Sequence, residues 1–110
     1  ALFRGAAVSE AETSRTILST LNETGELVDT HTAVALAAAR RLGSPHPTTP
    51  LVVLSTAHAA KFPDEVLAAT GVAPTAPAAA RGLAEREERF DHLPADAAAV
   101  KAYVREFVAA

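Results

Sequence analysis

Leu51-Val-Val-Leu-Ser-Thr-Ala-His-Ala-Ala-Lys-Phe-Pro63 decides how the chain is read. Leu51 to Leu54 form a continuous apolar run after Pro50. Such a run has the pattern of a strand buried on both faces, and strands of that kind belong to parallel sheets covered by helices. The run passes directly into a hydroxyl pair, Ser55 and Thr56, and a histidine, His58. This is how α/β proteins present small polar groups to a ligand, outside the carboxyl ends of the strands. The reading is an α/β chain, rich in helix, with one buried strand at about residues 51–55 and about four helices. No other segment reads as a partner strand, so the sheet is completed either by weaker segments or by sequence beyond these residues.

Outward from that stretch the elements are mostly helical. Ser9-Glu-Ala-Glu12 has the capping-box form, so a helix starts there. Ile17, Leu18 and Leu21, with Ala11 and Ser14, make its apolar stripe, and Gly25 suits its end. Glu26 to Asp29 reads as extended. Asp29 or Thr30 can cap a second helix, Thr32 to Leu42, whose Ala33–Ala39 run is apolar all round and calls for burial on most sides. Ser44 to Pro50 holds three prolines and is a loop. Pro63 suits the first position of a third helix that runs to Gly71. Val72 to Ala80 reads as irregular surface chain and Glu85 to Arg89 as a solvated charge cluster. A last helix, about residues 95–108, carries Val100, Tyr103, Val104, Phe107 and Val108 on one face. With no internal repeat and no linker, the 110 residues read as a single unit.

Composition narrows the function classes. The chain is 49% hydrophobic and 21% charged, with a net charge of -3, which fits a folded domain and gives no basic footprint for nucleic acid. A chain of this size buries about two-thirds of its unfolded surface when it closes its own core. Here much of the apolar content is alanine and only five residues are Tyr or Phe, so each buried position contributes little area. No run is long or apolar enough to cross a bilayer and no secretory leader pattern opens the sequence, so a cytoplasmic protein is expected. The absence of cysteine excludes disulfides, thiolate nucleophiles and cysteine-type zinc sites. His31, His46, His58 and His92 lie on different elements without the paired spacing that fixes metal ligands, so no metal is expected. Ser55, His58 and Asp64 could formally make a hydrolytic triad, but the glycines of a nucleophile elbow are missing. The five glycines are dispersed, so there is no phosphate-cradling loop either.

Two polar clusters remain at element boundaries, Asp29-Thr-His-Thr32 and Ser55-Thr-Ala-His58. Both stand where ligands of open α/β sheets and helix N-termini bind. Capping alone explains Asp29 and Thr32 equally well, and a turn after a strand explains Ser55 and Thr56.

Asp29-Thr-His-Thr-Ala-Val34 and Ser55-Thr-Ala-His-Ala-Ala-Lys-Phe-Pro63 closely resemble the carboxy-terminal part of the threonine synthase family, whose usual wording is D-P-H-T-A-V-G and T-A-H-P-A-K-F. The resemblance extends to Leu2-Phe-Arg-Gly5, Ala69-Thr-Gly71 and Leu93-Pro-Ala-Asp96, and so to nearly the whole chain. It implies the carboxy-terminal part of a pyridoxal-phosphate enzyme of the tryptophan-synthase-β-like fold (fold type II). Such an enzyme is a lyase of amino-acid biosynthesis that converts O-phospho-L-homoserine and water to L-threonine and phosphate. The remainder of the same polypeptide would be the partner of these residues. The resemblance implies that Thr56 binds the cofactor at its pyridine nitrogen, and that Asp29, His31, Thr32, Ser55, His58 and Lys61 wall the active site.

The sequence departs from the family at Thr30 and Ala59, where proline is usual, and at Ala35, where glycine is usual. The lysine that forms the Schiff base and the loop that holds the cofactor phosphate belong to the amino-terminal part of such enzymes. Neither Lys61 nor Lys101 matches that lysine, so no catalytic residue is assigned and the 110 residues alone are expected to be inactive. Two other readings stand beside this one. One is a fragment of a related lyase such as a threonine dehydratase, and the other is a stand-alone helical interaction module that docks through Val100, Val104 and Phe107.

Overall fold

The computed structural model describes residues 3–44, 46 and 48–109. Four α-helices dominate it: α1 (Glu10–Thr24), α2 (Thr30–Leu42), α3 (Pro63–Thr70) and α4 (Ala97–Ala109). Short 310 turns occur at Ala59–Lys61, Ala78–Ala80 and Leu83–Glu85.

Local chemistry sets the boundaries. The Ser9 hydroxyl accepts from the Glu12 backbone N–H and starts α1, which is one half of the capping box, while the Glu12 carboxylate pairs with Arg41. Gly25 ends it at φ 78° and Gly71 ends α3 at φ 73°, left-handed conformations that a side chain disfavours. Pro63 occupies the first turn of α3, where its missing N–H leaves nothing unsatisfied.

α1 packs against both α2 and α3. The buried set is small: Ile17, Ala33, Ala37, Ala59 and Val66, with Thr13, Thr16, Thr20, Asp29 and Thr32 among them. On α1 the inward face is therefore not the expected stripe. Ala11, Ser14 and Leu18 are exposed, while Thr13, Thr16, Ile17 and Thr20 are buried. Those four positions follow the spacing of one helix face. Thr13 and Thr16 can turn inward because their hydroxyls bond back along the helix, whereas the buried Thr20 hydroxyl has no partner among the described residues. Thr13 Oγ1 donates to the Ser9 carbonyl at 3.0 Å and Thr16 Oγ1 to the Glu12 carbonyl at 2.8 Å, which leaves the methyl groups free to pack. Arg40 ties α2 to α1 through Glu23 at 3.1 Å and Ser19 at 3.1 Å, and Arg41 pairs with Glu12.

The strand expected at 51–55 is absent: among the described residues there is no strand at all. Leu51, Val52 and Leu54 are 52%, 77% and 72% exposed. The segment has the composition of a buried strand, but nothing among these residues pairs with its backbone or covers its two faces. The expectation of all-round burial for α2 also fails, since only Thr32, Ala33 and Ala37 are buried and Val34 is exposed. α4 forms where expected, yet Val100, Val104, Phe107 and Val108 all stand exposed. The 44–50 loop is as read where it is described, with Ser44 Oγ donating to the His46 carbonyl at 2.8 Å. Pro45 and Pro47 lie outside the described residues.

Two global quantities agree with these local ones. The radius of gyration is 18.8 Å, against about 13 Å for a closed domain of this length. The accessible surface is 8723 Å², against roughly 5700 Å² for a folded monomer of this mass. Among the described residues no helix is long and apolar enough to cross a membrane.

Candidate functional site

Asp29 organises the site. It is the N-cap of α2, with extended φ −79° and ψ 170°, and it is fully buried. Its Oδ2 accepts from the His31 backbone N–H at 2.9 Å. Its Oδ1 accepts from the Thr32 N–H at 3.2 Å and from the Thr32 hydroxyl. Burial alone would push this carboxyl up, but the Thr32 hydroxyl, the two backbone donors and the His31 ring hold it below its ordinary value of 3.8. Asp29 is therefore an ionised, buried acceptor at the positive end of a helix.

His31 Nδ1 lies 3.2 Å from Asp29 Oδ2. A carboxylate can only accept, so in the neutral ring the proton sits on Nδ1 and the lone pair on Nε2. His58 has the opposite arrangement. Its Nδ1 accepts from the Ala60 N–H at 3.1 Å and caps the 310 turn, which leaves the proton of the neutral ring on Nε2. The two histidines thus differ in kind: His31 offers an acceptor and His58 a donor.

Thr32 joins the two polar clusters, its Oγ1 lying 3.3 Å from Ser55 Oγ. Phe62 makes a second link. Its ring centroid is 4.9 Å from that of His31, and Lys61 Nζ is 5.7 Å from the Phe62 centroid, within reach of a cation–π contact. Two cavities lie near these residues, and Phe62 lines the first of them. One, of about 330 Å³, is lined by Glu10, Thr13, Thr30, His31, Val34, Phe62 and Glu65. The other, of about 340 Å³, is lined by His58, Lys61 and the apolar groups of Ala60, Ala76, Pro77, Ala80 and Leu83.

The sequence-derived residues therefore fall into two groups. Asp29, His31, Thr32 and Ser55 are brought together by hydrogen bonds, and His58 and Lys61 share a separate groove. Thr56 is exposed beside Ser55. Phe62 was not singled out from the sequence although it stands inside the second motif. Its signal was an aromatic ring placed between a lysine and a helix-starting proline. Among the described residues no three His, Asp or Glu side chains converge as a metal site would require.

Both proline departures fall at the first residue of a helical turn. Thr30 opens α2 and Ala59 opens the 310 turn. At that position the N–H is unpaired in any case, so proline is favoured there but not required.

The profile of the family described as threonine synthase, C-terminal, matches residues 32–104. This chain belongs to that family. Its sequence is 43% identical over 106 residues to a threonine synthase of Pseudomonas aeruginosa, covering 96% of this chain and 22% of the relative. It is 36% identical over 109 residues to a threonine synthase of Methylobacillus glycogenes, with the same coverage. Among solved structures it is similar to a threonine synthase from Brucella melitensis described as PLP-bound, with a TM-score of 0.70 and 44% identity over 92% of this chain and 21% of that one. The described residues thus have the helical fold of a threonine synthase segment, and the chain spans 22% of the length of the two curated relatives.

Proposed function

We propose that these residues are the carboxy-terminal part of a threonine synthase of the fold type II pyridoxal-phosphate class. The whole enzyme would convert O-phospho-L-homoserine and water to L-threonine and phosphate. The observation that carries the reading is the Thr32–Ser55 contact, which draws the two motif segments of the family into one polar surface. The large exposed surface and the uncovered α4 face support a chain that packs against the remainder of a longer polypeptide. On this reading the segment 51–55 finds its strand partners and its cover there.

The chemistry of the donor set fits the cofactor at one point. Thr56 is an exposed neutral hydroxyl, suited to a hydrogen bond with a pyridine nitrogen without forcing that nitrogen to stay protonated. Bound pyridoxal phosphate supplies an electron sink for elimination and replacement. This chain's own part is to bind, orient and polarise. Asp29 fixes the start of α2, and Thr32 ties the Ser55–Thr56 segment to it. His31 presents a lone pair on Nε2, and His58 and Lys61 present a donor and a cation in a separate groove. The last two suit an anionic group.

The test is made on the full-length polypeptide. Threonine and phosphate should form from O-phospho-L-homoserine in equal amounts. Formation of 2-oxobutanoate and ammonia from threonine, with no threonine from the phosphorylated substrate, would move the assignment to a dehydratase.

A further inference from the structure

Three hydrogen-bonded groups, Asp29, Thr32 and Ser55, form a chain whose direction is fixed. Asp29 is fully buried and ionised, so it can only accept. The single proton of the Thr32 hydroxyl is consumed by Asp29 Oδ1. Thr32 Oγ1 can then meet Ser55 Oγ, 3.3 Å away, only as an acceptor. The Ser55 proton therefore points inward to Thr32, and the Ser55 oxygen is left with lone pairs alone. A hydroxyl held in this way by a charged group is ordered more firmly than one facing water.

The next residue in the chain is Thr56. Segment 51–58 has no regular structure among the described residues and its apolar residues are largely exposed, so within this chain the packing of those apolar residues contributes little to its placement. The Ser55–Thr32 bond ties it to the buried N-terminus of α2. We propose that Thr32 is a positioning residue: acting through Ser55, with Asp29 setting the sense of the bonds, it fixes where the Thr56 hydroxyl stands. This rests on the assignment of Thr56 to the cofactor made above.

The experiment uses the full-length polypeptide and pyridoxal phosphate as the probe, and reads cofactor affinity and the absorption maximum of the bound cofactor. Thr32→Val and Ser55→Ala should each weaken affinity roughly fivefold, as loss of one neutral hydrogen bond does, and should move the absorption maximum in the same direction. The double variant should be no worse than the weaker-binding single variant. Thr32→Ser, which restores the hydroxyl, should bind within about twofold of the parent because the bond is re-formed. In a Thr56→Ala background, Thr32→Val should move the absorption maximum no further. A purely structural role for Thr32 would lower the melting temperature and leave the spectrum alone. Ser55 is exposed, so Ser55→Ala carries the same expectation even where Thr32→Val does not fold. Independent, additive effects or an unmoved spectrum in Ser55→Ala would overturn the inference and leave the function standing. A full-length parent that does not bind pyridoxal phosphate would overturn both.

Discussion

Thr32 Oγ1 and Ser55 Oγ lie 3.3 Å apart although 23 residues separate them in the chain. Between them run the rest of α2, the proline-rich loop and the apolar segment 51–54. The contact requires Thr32 to face inward, and that is secured by Asp29, which caps α2 and accepts the hydrogen bond of the Thr32 hydroxyl. A feature of helix termination thus becomes a feature of the site.

Asp29 should make the stability of the fold depend on acid. Its carboxyl is held below the ordinary value because its hydrogen bonds outweigh its burial. A group whose folded value lies below its unfolded one, about 3.9 for aspartate, contributes stability that is fully present above the unfolded value. That contribution is lost as pH falls through the lowered folded value. Denaturant unfolding from pH 6 down to pH 2.5 should therefore show the parent losing stability below about pH 4. Asp29→Asn, which keeps the shape but not the charge, should be less stable at neutral pH and should lose less on acidification. Parallel curves for the two proteins would remove Asp29 as the cause.

The uncovered face of α4 leads to a contrast between two contexts. Val104 and Phe107 are largely exposed here, and an exposed substitution away from caps and cores usually changes stability by less than about 0.5 kcal/mol. Val104→Asp should accordingly leave the unfolding of the 110-residue chain unchanged. If the remainder of a full-length polypeptide covers that face, as proposed, the same change buries an unpaired charge there and should destabilise by about 3 kcal/mol or more. Equal small effects in both contexts would mean that nothing packs on α4.

Helix boundaries were legible in the sequence because caps are local chemistry. Ser9 with Glu12, Asp29 with Thr32, Pro63, and the glycines at 25 and 71 act within one turn. Residues 51–55 were misread for the opposite reason. A strand exists only with a partner, and an apolar run fixes preference without supplying one. The inward face of α1 was misread because hydropathy scores threonine as polar, whereas Thr13 and Thr16 satisfy their hydroxyls on their own helix. For the candidate site, the motifs pointed to Asp29, Thr32 and Ser55, which hydrogen bonds join in the fold. The role of Phe62 between His31 and Lys61 needed distances across elements that spacing does not contain.

Tyr103 offers a clean spectroscopic check on the region before α4. It is the one tyrosine of the sequence, and there is no tryptophan. Its hydroxyl donates to Asp91 at 2.5 Å, and this bond, with the repulsion between carboxylate and phenolate, raises its pKa above the ordinary 10.0. An ultraviolet titration should show a single phenol ionising above pH 10, and Asp91→Asn should bring the midpoint down toward the ordinary value. An unchanged midpoint in the variant would mean that the 91–103 contact is not kept in solution.

Thr56 is the sharpest test of the cofactor assignment, because its contribution is small by itself and large in context. One neutral hydrogen bond is worth on the order of 1 kcal/mol net, far too little to hold pyridoxal phosphate without a phosphate cradle and a covalent lysine. The 110-residue chain should show no stoichiometric cofactor binding by absorbance or fluorescence titration. In the full-length polypeptide, Thr56→Ala should keep the cofactor, since the other anchors remain, and should reduce kcat by about tenfold or more because each 1.36 kcal/mol of barrier is a factor of ten. Thr56→Ser should recover most of that rate. A borohydride-reducible adduct on Lys61 of the isolated chain would contradict the expectation, since Lys61 Nζ lies against the Phe62 ring and shares a groove with His58 rather than with Ser55 and Thr56.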